Sequence, residues 1–491
     1  MAQAQYDYPL STTLALMLTL VAFLVYRDIL PQKGWLRFGI TLPLMMLVYV
    51  FSPGAMLLVA FLCVLHASLN TGERCLYRIL LPLGYLSAAL LLPLLAGAVV
   101  FLIPIRDAYF RQALFGYSDG FHPFAGAKFP LECILGLTIL ILAGIFFVRR
   151  EDESVETTRR HRIRLIQIPV AIILLMLGAW LAVERDEKEV LAIRHAAHLG
   201  EWERVANHIN SRTVQEPLCL FHINRALFHT GRMASSFFTI PQNFGRYGLF
   251  LLKDIGYQYP LDTSDFFFEI GHINEAERWA SEALTLYGES SAVLKRLALI
   301  NILQDEPKAA AQYLKRLQQN PNSRSWAEHY LTCLTNPAKL RDEPLLQKLH
   351  AFMPKHDFLV TGDHAEIDLE KMLSKAPSNR MAFEYLMMHC LITRDLDSFV
   401  NNLIRYRAFT KTQLPYHYEE ALIAYLALNK SADSTAASIK IRKSTIDRFK
   451  DFERLLSAHG GNSESAYADL SRSYSGTYWF YMLYARSVSE P

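Results

Sequence analysis

Cysteine is sparse in this 491-residue sequence, and its six cysteines are scattered. Zinc sites and disulfide frameworks are recognised by closely spaced pairs such as CxxC, and neither such a pair nor a Cys/His cluster occurs. The phosphate-binding pattern GxxxxGK[ST] and the dinucleotide-binding pattern GxGxxG are also absent. We therefore predict no metal site and no cofactor, and nucleotide chemistry has no support in the sequence.

A strong excess of charge is lacking too. The formal net charge is +3 at pH 7, and no basic amphipathic stretch occurs, so nucleic acid is not an expected partner. The composition changes near residue 184: apolar runs dominate before it, and the composition of an ordinary helical protein follows it. This change predicts an all-α chain in which a polytopic membrane domain, 1–184, precedes a helical-repeat domain.

Six apolar runs are close to the roughly 17–25 residues that a membrane-spanning helix needs. They lie at 9–26, 37–52, 54–70, 79–104, 130–148 and 165–183. No Asp, Glu, Lys or Arg lies well inside any of these runs. Ion-coupled transport needs ionisable groups within the membrane, so we interpret the six helices as an anchor.

The segment 149–164 determines the predicted orientation, because it contains six arginines. Short loops rich in Lys and Arg stay in the cytoplasm, and this placement also puts the basic loops 27–37 and 70–78 inside. The amino terminus and the loop 105–129 then lie outside. Residues 184–491 follow the sixth span and lie outside as well. In a bacterium this describes an inner-membrane protein with a periplasmic C-terminal domain.

The outside loop 107–130 combines ionisable and aromatic side chains. Aromatic rings of this kind often lie at the level of the lipid headgroups, so one interpretation is an interfacial segment in contact with membrane lipid. The other interpretation is a site that acts on a lipid-linked substrate. In that case the candidate catalytic groups are Asp107, Arg111, Asp119 and His122.

Residues 185–430 show helical spacing of apolar residues. The sequence GHINEAERWASEAL begins at Gly271, and DEPKAAAQYLKRL begins at Asp305, 34 residues later. Ala276 and Ala310 then occupy equivalent positions, where a small residue lets two helices approach closely. A helix–turn–helix period of about 34 residues is typical of tetratricopeptide repeats. The pattern therefore predicts a tetratricopeptide-like α-solenoid.

The flanks of this register are less regular. Looser copies of the turn occur at 198–209 and 393–404, and 232–263 is predicted to be an irregular insertion. The tail, 431–491, predicts two helices near 434–457 and 464–487 that cap the solenoid. Its aromatic run YSGTYWFYMLY either closes the core or forms a surface for a partner or the bilayer.

Histidines are the remaining candidates for chemistry in the helical half. His195, His198 and His208 lie near two glutamates, but no HExxH pattern occurs and a turn separates the third histidine from the others. His222 and His229 are two helical turns apart and share a helix face. We interpret these side chains as solvated or packing histidines rather than as metal ligands.

The whole arrangement resembles a family of uncharacterised bacterial membrane proteins, found mainly in Gram-negative anaerobes and defined as a domain of unknown function. The segment APSNRMAFEYLMMHCLITRDLDSFV, 376–400, carries the resemblance. It implies membrane spans followed by paired helices along most of the chain, and it implies no activity and no catalytic residues.

These features favour a scaffold or docking protein of the envelope that is not an enzyme. A solenoid presents an extended surface suited to peptides and proteins, so the expected partners are envelope or membrane proteins in secretion, lipoprotein handling or surface-polymer assembly. The alternative is a membrane glycosyltransferase or ligase that acts on lipid-linked sugar while the repeats present the acceptor. No oligomeric state follows from the sequence.

Overall fold

The computed structural model describes residues 18–31, 34–69, 75–97, 109, 185–210, 213–251, 253–354, 358, 364–410, 413–429, 436 and 438–485. This part of the chain is helical, which confirms the all-α prediction. By its internal contacts the chain divides into two compact units. The first contains 1–184 with the short segments 288–291 and 316–325, and the second contains the remainder of 185–491.

Three helices make up most of the described part of the first unit: α1 (Gly34–Phe51), α2 (Pro53–Leu69) and α3 (Cys75–Leu95). A π-helix at Val25–Ile29 precedes them. Their buried faces form one apolar cluster that includes Met45, Met56 and Tyr85. The three helices coincide, within a few residues, with the second, third and the first part of the fourth predicted span.

Within the described residues, α1 is the one helix that is both long and apolar enough to cross a membrane. The apolar helical stretches Leu18–Arg27, Pro53–Ser68 and Ile79–Leu95 are shorter. The predicted spans 130–148 and 165–183 and the arginine-rich segment 149–164 lie outside the described residues. The structure therefore supports an apolar helical unit at this end of the chain.

The position of Arg37 corrects a predicted boundary. The sequence places Arg37 in the basic loop 27–37, whereas it lies inside α1 and is only 5% exposed. Its Nε donates a hydrogen bond to the carbonyl oxygen of Pro31 at 3.1 Å. Its guanidinium also lies over the ring of Tyr26, 5.1 Å from the ring centroid. The carbonyl of Pro31 and the ring face of Tyr26 thus stabilise the buried charge of Arg37.

Twenty further α-helices are described in 185–491. They are α4 (Arg185–His198), α5 (Trp202–Asn207), α6 (Pro217–His229), α7 (Met233–Ser236), α8 (Arg246–Leu249), α9 (Lys253–Gln258), α10 (Pro260–Ile270), α11 (Ile273–Tyr287), α12 (Ser291–Leu303), α13 (Pro307–Gln318), α14 (Arg324–Thr335), α15 (Pro337–Arg341), α16 (Pro344–Phe352), α17 (Ala365–Lys375), α18 (Arg380–Ile392), α19 (Leu396–Arg405), α20 (Tyr416–Leu428), α21 (Lys443–Ala458), α22 (Ser463–Tyr474) and α23 (Tyr478–Tyr484). Short 3₁₀ helices occur at Thr213–Gln215, Phe237–Thr239 and Arg407–Thr410.

The 34-residue register corresponds to a repeated turn. Gly271 and Asp305 both have left-handed backbone angles, with φ of 88° and 58°. At the first turn the N–H of His272 donates to the carbonyl of Phe267 at 2.8 Å, and at the second the N–H of Glu306 donates to the carbonyl of Asn301 at 2.8 Å. This six-to-one bond is that of a Schellman motif, which satisfies carbonyls that a helix end leaves open.

The same bond recurs at four other turns between helices. Positive φ angles occur at Gly200, Gly231, Arg394 and Gly460. The residue after each again donates back to the helix: Glu201 to Ala196, Arg232 to Leu227, Asp395 to Cys390 and Gly461 to Leu456, at 2.7–3.0 Å. The looser turn copies expected near 198–209 and 393–404 therefore have the backbone geometry of the regular ones.

The segment 232–263, predicted to be an irregular insertion, contributes buried side chains to the core of the second unit. Phe238 is 4% exposed, and its backbone N–H donates to Nε2 of His417, 179 positions away, at 3.2 Å. Its ring also lies 4.8 Å from the ring of Tyr481. In a linear solenoid each repeat contacts only its neighbours. These contacts instead join parts of the second unit that are far apart in the sequence.

In the described part of the tail, α21 to α23 take the place of the two predicted helices, because the predicted helix 464–487 is interrupted at 475–477. Thr477 caps α23 by accepting a hydrogen bond from the N–H of Phe480. Trp479 is 1% exposed, and its Nε1 donates to the carbonyl of Glu420 at 2.7 Å. The aromatic run of the tail therefore contributes to the core.

Candidate functional site

Helix α10, with the sequence PLDTSDFFFEI, organises the candidate site. Pro260 occupies the first helical position, where its missing N–H costs nothing, and left-handed Gly271 follows the last turn. Asp262, Asp265 and Glu269 recur at helical spacing along one face, and the apolar residues between them occupy the others. One face therefore carries the charges, and another lines a cavity.

Asp262 lies at the centre of a buried ionic network. Its side chain is 0% exposed. One carboxylate oxygen accepts hydrogen bonds from Arg194 at 2.6 and 3.0 Å. The other lies 3.3 Å from Nε2 of His198 and 3.1 Å from Nε2 of His222. Because these partners outweigh the cost of burial, the pKa of Asp262 is held well below its usual value.

His222 is neutral in this network. Burial lowers its pKa to about 4, although Asp262 opposes that change. An amino group of the Arg225 guanidinium lies 3.0 Å from Nδ1, and since arginine only donates, Nδ1 accepts. The proton of His222 is thereby assigned to Nε2, which faces Asp262.

His198 connects two carboxylates. Its Nδ1 lies 3.0 Å from Asp265, and its Nε2 faces Asp262. Burial disfavours the charged imidazole, yet the two carboxylates outweigh burial and raise the pKa of His198 to about 9. Asp265 also accepts a hydrogen bond from Nε of Arg296 at 3.0 Å. A charged histidine and an arginine from separate helices therefore converge on this carboxylate.

Glu269 extends the network toward α5. It pairs with Arg225, which is 1% exposed, at 2.7 and 3.2 Å, and it lies 3.1 Å from Nε2 of His229. The ring of Trp202 stacks on His229 at 4.1 Å. Burial would raise the pKa of Glu269, but Arg225 and His229 lower it to about 2.

The network fixes the positions of helices. Its carboxylates have depressed pKa values, so they remain ionised near neutral pH and are poorly matched to proton transfer there. Their partners come from α4, α6 and α12, so the ion pairs join α10 to three other helices. Removing one partner of a buried pair leaves an uncompensated charge, so the arrangement resists displacement of these helices.

A cavity of about 210 Å³ lies against α10. Aromatic side chains form much of its wall, namely Phe221, Phe250, Tyr257, Phe266, Phe267 and Trp279. A purely apolar cavity of about 150 Å³ can hold benzene. The volume here therefore suits one aromatic ring or one large aliphatic side chain.

The polar groups of the wall include both paired and unpaired atoms. Glu275 pairs with Arg278 at 3.0 Å, and the guanidinium of Arg278 lies 4.3 Å from a ring centroid of Trp279. Asp368 lies 3.6 Å from Nζ of Lys371. By contrast, Nε1 of Trp279 is buried and has no hydrogen-bond partner within the described residues. The carboxylates of the wall are thus already matched with cations.

Histidines that we predicted to be solvated or packing side chains lie close together in the structure. His198 and His222 meet at Asp262, and His229 binds Glu269. His195 is exposed, and His208 bonds locally to the carbonyl of Arg204. The signal that was overlooked is the spacing of acidic residues in α10, which places three carboxylates on one helix face.

The predicted catalytic candidates Asp107, Arg111, Asp119 and His122 lie outside the described residues. The interpretation that the chain lacks the GxSxG spacing of a nucleophile elbow is wrong, because the same loop contains GYSDG, 116–120. That motif acts at a strand-to-helix turn above an α/β sheet, whereas the described part of this chain is helical. The spacing alone therefore assigns no nucleophile.

One group of potential metal ligands converges within the described residues: His329, Cys333 and Glu343. The described cysteines Cys63, Cys219, Cys333 and Cys390 are buried and free.

The chain belongs to a family of unknown function, DUF6057, whose model matches residues 1–485. The family predicted from 376–400, a domain of unknown function, is thus confirmed at that level. No curated protein and no solved structure shows significant similarity to the chain.

Proposed function

We propose that this member of the family is a membrane-anchored docking protein of the bacterial envelope, and that its cavity receives one large apolar side chain of a partner protein. The aromatic cavity against α10 supports this proposal most directly. Binding sites are typically concave and mainly apolar, with a few placed polar groups. A single buried anchor side chain often dominates the energy of a protein interface.

The size and chemistry of the cavity favour an aromatic or large aliphatic side chain. About 210 Å³ is too small for a whole acyl chain but sufficient for one ring. Glu275 and Asp368 are matched by Arg278 and Lys371, so a charged ligand is not favoured.

The ionic network supports a preformed site. Asp262, Asp265 and Glu269 project from the helix that also presents Phe266 and Phe267 to the cavity. Because their partners lie on three neighbouring helices, the wall keeps its shape before a ligand arrives. Preorganisation of this kind reduces the ordering cost of binding.

The anchoring part of the proposal is supported by the exterior of the first unit. Large apolar side chains are exposed along α1, α2 and α3, including Trp35, Phe61 and Leu90 at 50%, 62% and 56%. Exposed apolar surface of this kind is unfavourable in water and favourable in lipid. With the six predicted spans and a cytoplasmic 149–164, the second unit faces the periplasm.

Photo-crosslinking with the full-length chain in cells tests the docking role. A benzophenone amino acid at Tyr257, in the cavity wall and 53% exposed, is compared with one at Tyr467, which is 51% exposed and outside the wall. We expect a discrete adduct at 257 only, joined to an apolar residue of one envelope protein. Identical adducts at the two positions, or none at 257, contradict the proposal.

Filling the cavity provides the second arm of the test. Ala365 lies in the wall and Ala468 is exposed on α22, so Ala365→Phe and Ala468→Phe are matched changes. We expect the purified full-length chain to bind N-acetyl-phenylalanine amide more strongly than the alanine analogue. Ala365→Phe should abolish that preference and the adduct at 257, and Ala468→Phe should preserve both. Equal effects of the two substitutions would refute an anchor site here.

A further inference from the structure

Three side chains with different donor atoms converge beside α14. His329 and Cys333 are one helical turn apart on that helix, and Glu343 directly precedes α16. Nε2 of His329 lies 2.5 Å from a carboxylate oxygen of Glu343 and 3.7 Å from Sγ of Cys333. All three donor atoms lie within 4.8 Å of one another.

We propose that His329, Cys333 and Glu343 bind a zinc ion, with water as the fourth ligand. Zinc accepts sulfur, imidazole nitrogen and carboxylate oxygen in tetrahedral sites, and three protein ligands leave one position open. A thiolate donor disfavours magnesium and calcium, which prefer oxygen ligands. This site is separate from the cavity and does not depend on the docking role.

Two of the three donor-atom separations can be compared with those of a zinc site. With bonds of about 2.0–2.3 Å, tetrahedral zinc holds sulfur and nitrogen about 3.6 Å apart and nitrogen and oxygen about 3.3 Å apart. The first separation is already 3.7 Å, and the second must open from the 2.5 Å of the present hydrogen bond. The ion therefore takes the place of the hydrogen between His329 and Glu343.

Access and burial are also suitable. The side chain of His329 is 55% exposed and that of Glu343 is 19% exposed, so an ion and its water ligand can reach the site. Cys333 is 1% exposed, which shields the sulfur from solvent. Zinc binds the thiolate form of cysteine, so binding displaces the proton of the Cys333 thiol and affinity should rise with pH.

Zinc at this site joins α14 to the start of α16. Apart from the ion, His329 and Glu343 are connected by one partly exposed hydrogen bond, which contributes little in water. A ligand that binds the folded state alone stabilises it in proportion to the logarithm of its concentration above Kd. The region of α14 to α16 should therefore become more resistant to local opening when zinc is present.

Cobalt(II) titration of the metal-free, full-length chain tests this site. Cobalt(II) substitutes for zinc, and a bound thiolate gives a near-ultraviolet charge-transfer band that oxygen and nitrogen ligands do not produce. We expect one cobalt per chain, that band, and its disappearance on addition of excess zinc. Absence of the band in the unmutated chain contradicts the proposal.

Single substitutions assign the ligands. Cys333→Ser should remove the charge-transfer band, and His329→Gln and Glu343→Gln should each weaken cobalt binding more than about 100-fold, beyond the loss of a supporting contact. His350→Gln, at an exposed histidine of α16, is the matched control and should leave binding unchanged. Unchanged binding in His329→Gln or Glu343→Gln with unaltered circular dichroism would overturn the assignment, as would equal weakening by His350→Gln.

Discussion

Arg194 and Asp262 are 68 positions apart in the sequence, and their guanidinium and carboxylate groups lie 2.6 Å apart in the folded chain. The carboxylate is fully buried, and the arginine side chain is 9% exposed. The pair therefore joins α4 to α10 where solvent cannot replace either partner. Because α10 also forms a wall of the cavity, this contact connects the stability of the second unit to the shape of its proposed site.

Asp262→Asn should destabilise the second unit strongly. The substitution keeps the shape of the side chain and leaves Arg194 and His198 without their shared negative partner. Breaking a buried pair in this way costs about 3–5 kcal/mol. Thermal and chemical unfolding of the full-length chain measure the loss.

The matched control for this prediction is Glu203→Gln. Glu203 pairs with Arg232 at 2.8 Å, but its side chain is 73% exposed. Exposed pairs contribute about 0–1 kcal/mol, so little change is expected. A comparable loss in both variants would show that burial is not what makes the Asp262 contacts important.

His198 should make the free energy of unfolding of the chain depend on pH in the alkaline range. Its pKa is raised to about 9 in the fold, against about 6.5 when unperturbed. A raised pKa means that the folded state holds the proton more tightly. The contribution is complete below about pH 6.5 and is lost as the pH rises through about 9. His198→Gln should flatten that slope in unfolding measurements, and an unchanged slope would contradict the predicted charge.

His222 should act in the opposite direction. Its pKa is lowered to about 4 by burial, so the folded state favours the neutral ring. The contribution of His222 is present above about pH 6.5 and is lost as the pH falls toward 4. Unfolding free energies of wild type and His222→Gln across this pH range measure the effect. The loss of stability on lowering the pH should be smaller in the variant, because His222 is neutral in the folded wild type.

Gly271→Ala should be costly for two reasons. Gly271 has φ of 88°, and an added Cβ would lie 2.9 Å from backbone and side-chain carbons of Phe352. Left-handed backbone costs an L-residue about 1–2 kcal/mol, and the clash adds to that. At Gly231, φ is 70° and nothing lies within 4 Å of an added Cβ. Gly231→Ala should therefore lose only the backbone part, and unfolding midpoints that rank the two variants in reverse order would contradict the packing at Phe352.

The predicted orientation has its own test. A green fluorescent protein that folds only in the cytoplasm, fused after residue 485, should remain dark, whereas a phosphatase that needs periplasmic oxidation should be active there. The physical reason is that 149–164, rich in arginine, stays inside and one further span follows it. Bright fluorescence would place the second unit in the cytoplasm and exclude a periplasmic docking role.

Several elements were predictable because their causes are local. The apolar runs of α1 and α2 and the repeated turn at Gly271 and Asp305 follow from residues within one or two helical turns. Boundaries were less accurate where packing decided them. Arg37 lies in α1 because the carbonyl of Pro31 and the ring of Tyr26 stabilise its buried charge. The predicted tail helix is interrupted at 475–477 because Thr477 caps a new helix, α23.

The candidate site was not predictable in the same way. The sequence by itself determined that the chain is helical, where its apolar runs lie and which turns recur, because hydrophobic periodicity and backbone preference act over short distances. Only the tertiary structure decided that Asp262 meets Arg194 and His222, and that Glu343 reaches His329 and Cys333. These contacts depend on how the helices pack. The separation of two residues along the sequence does not indicate whether packing will bring them together.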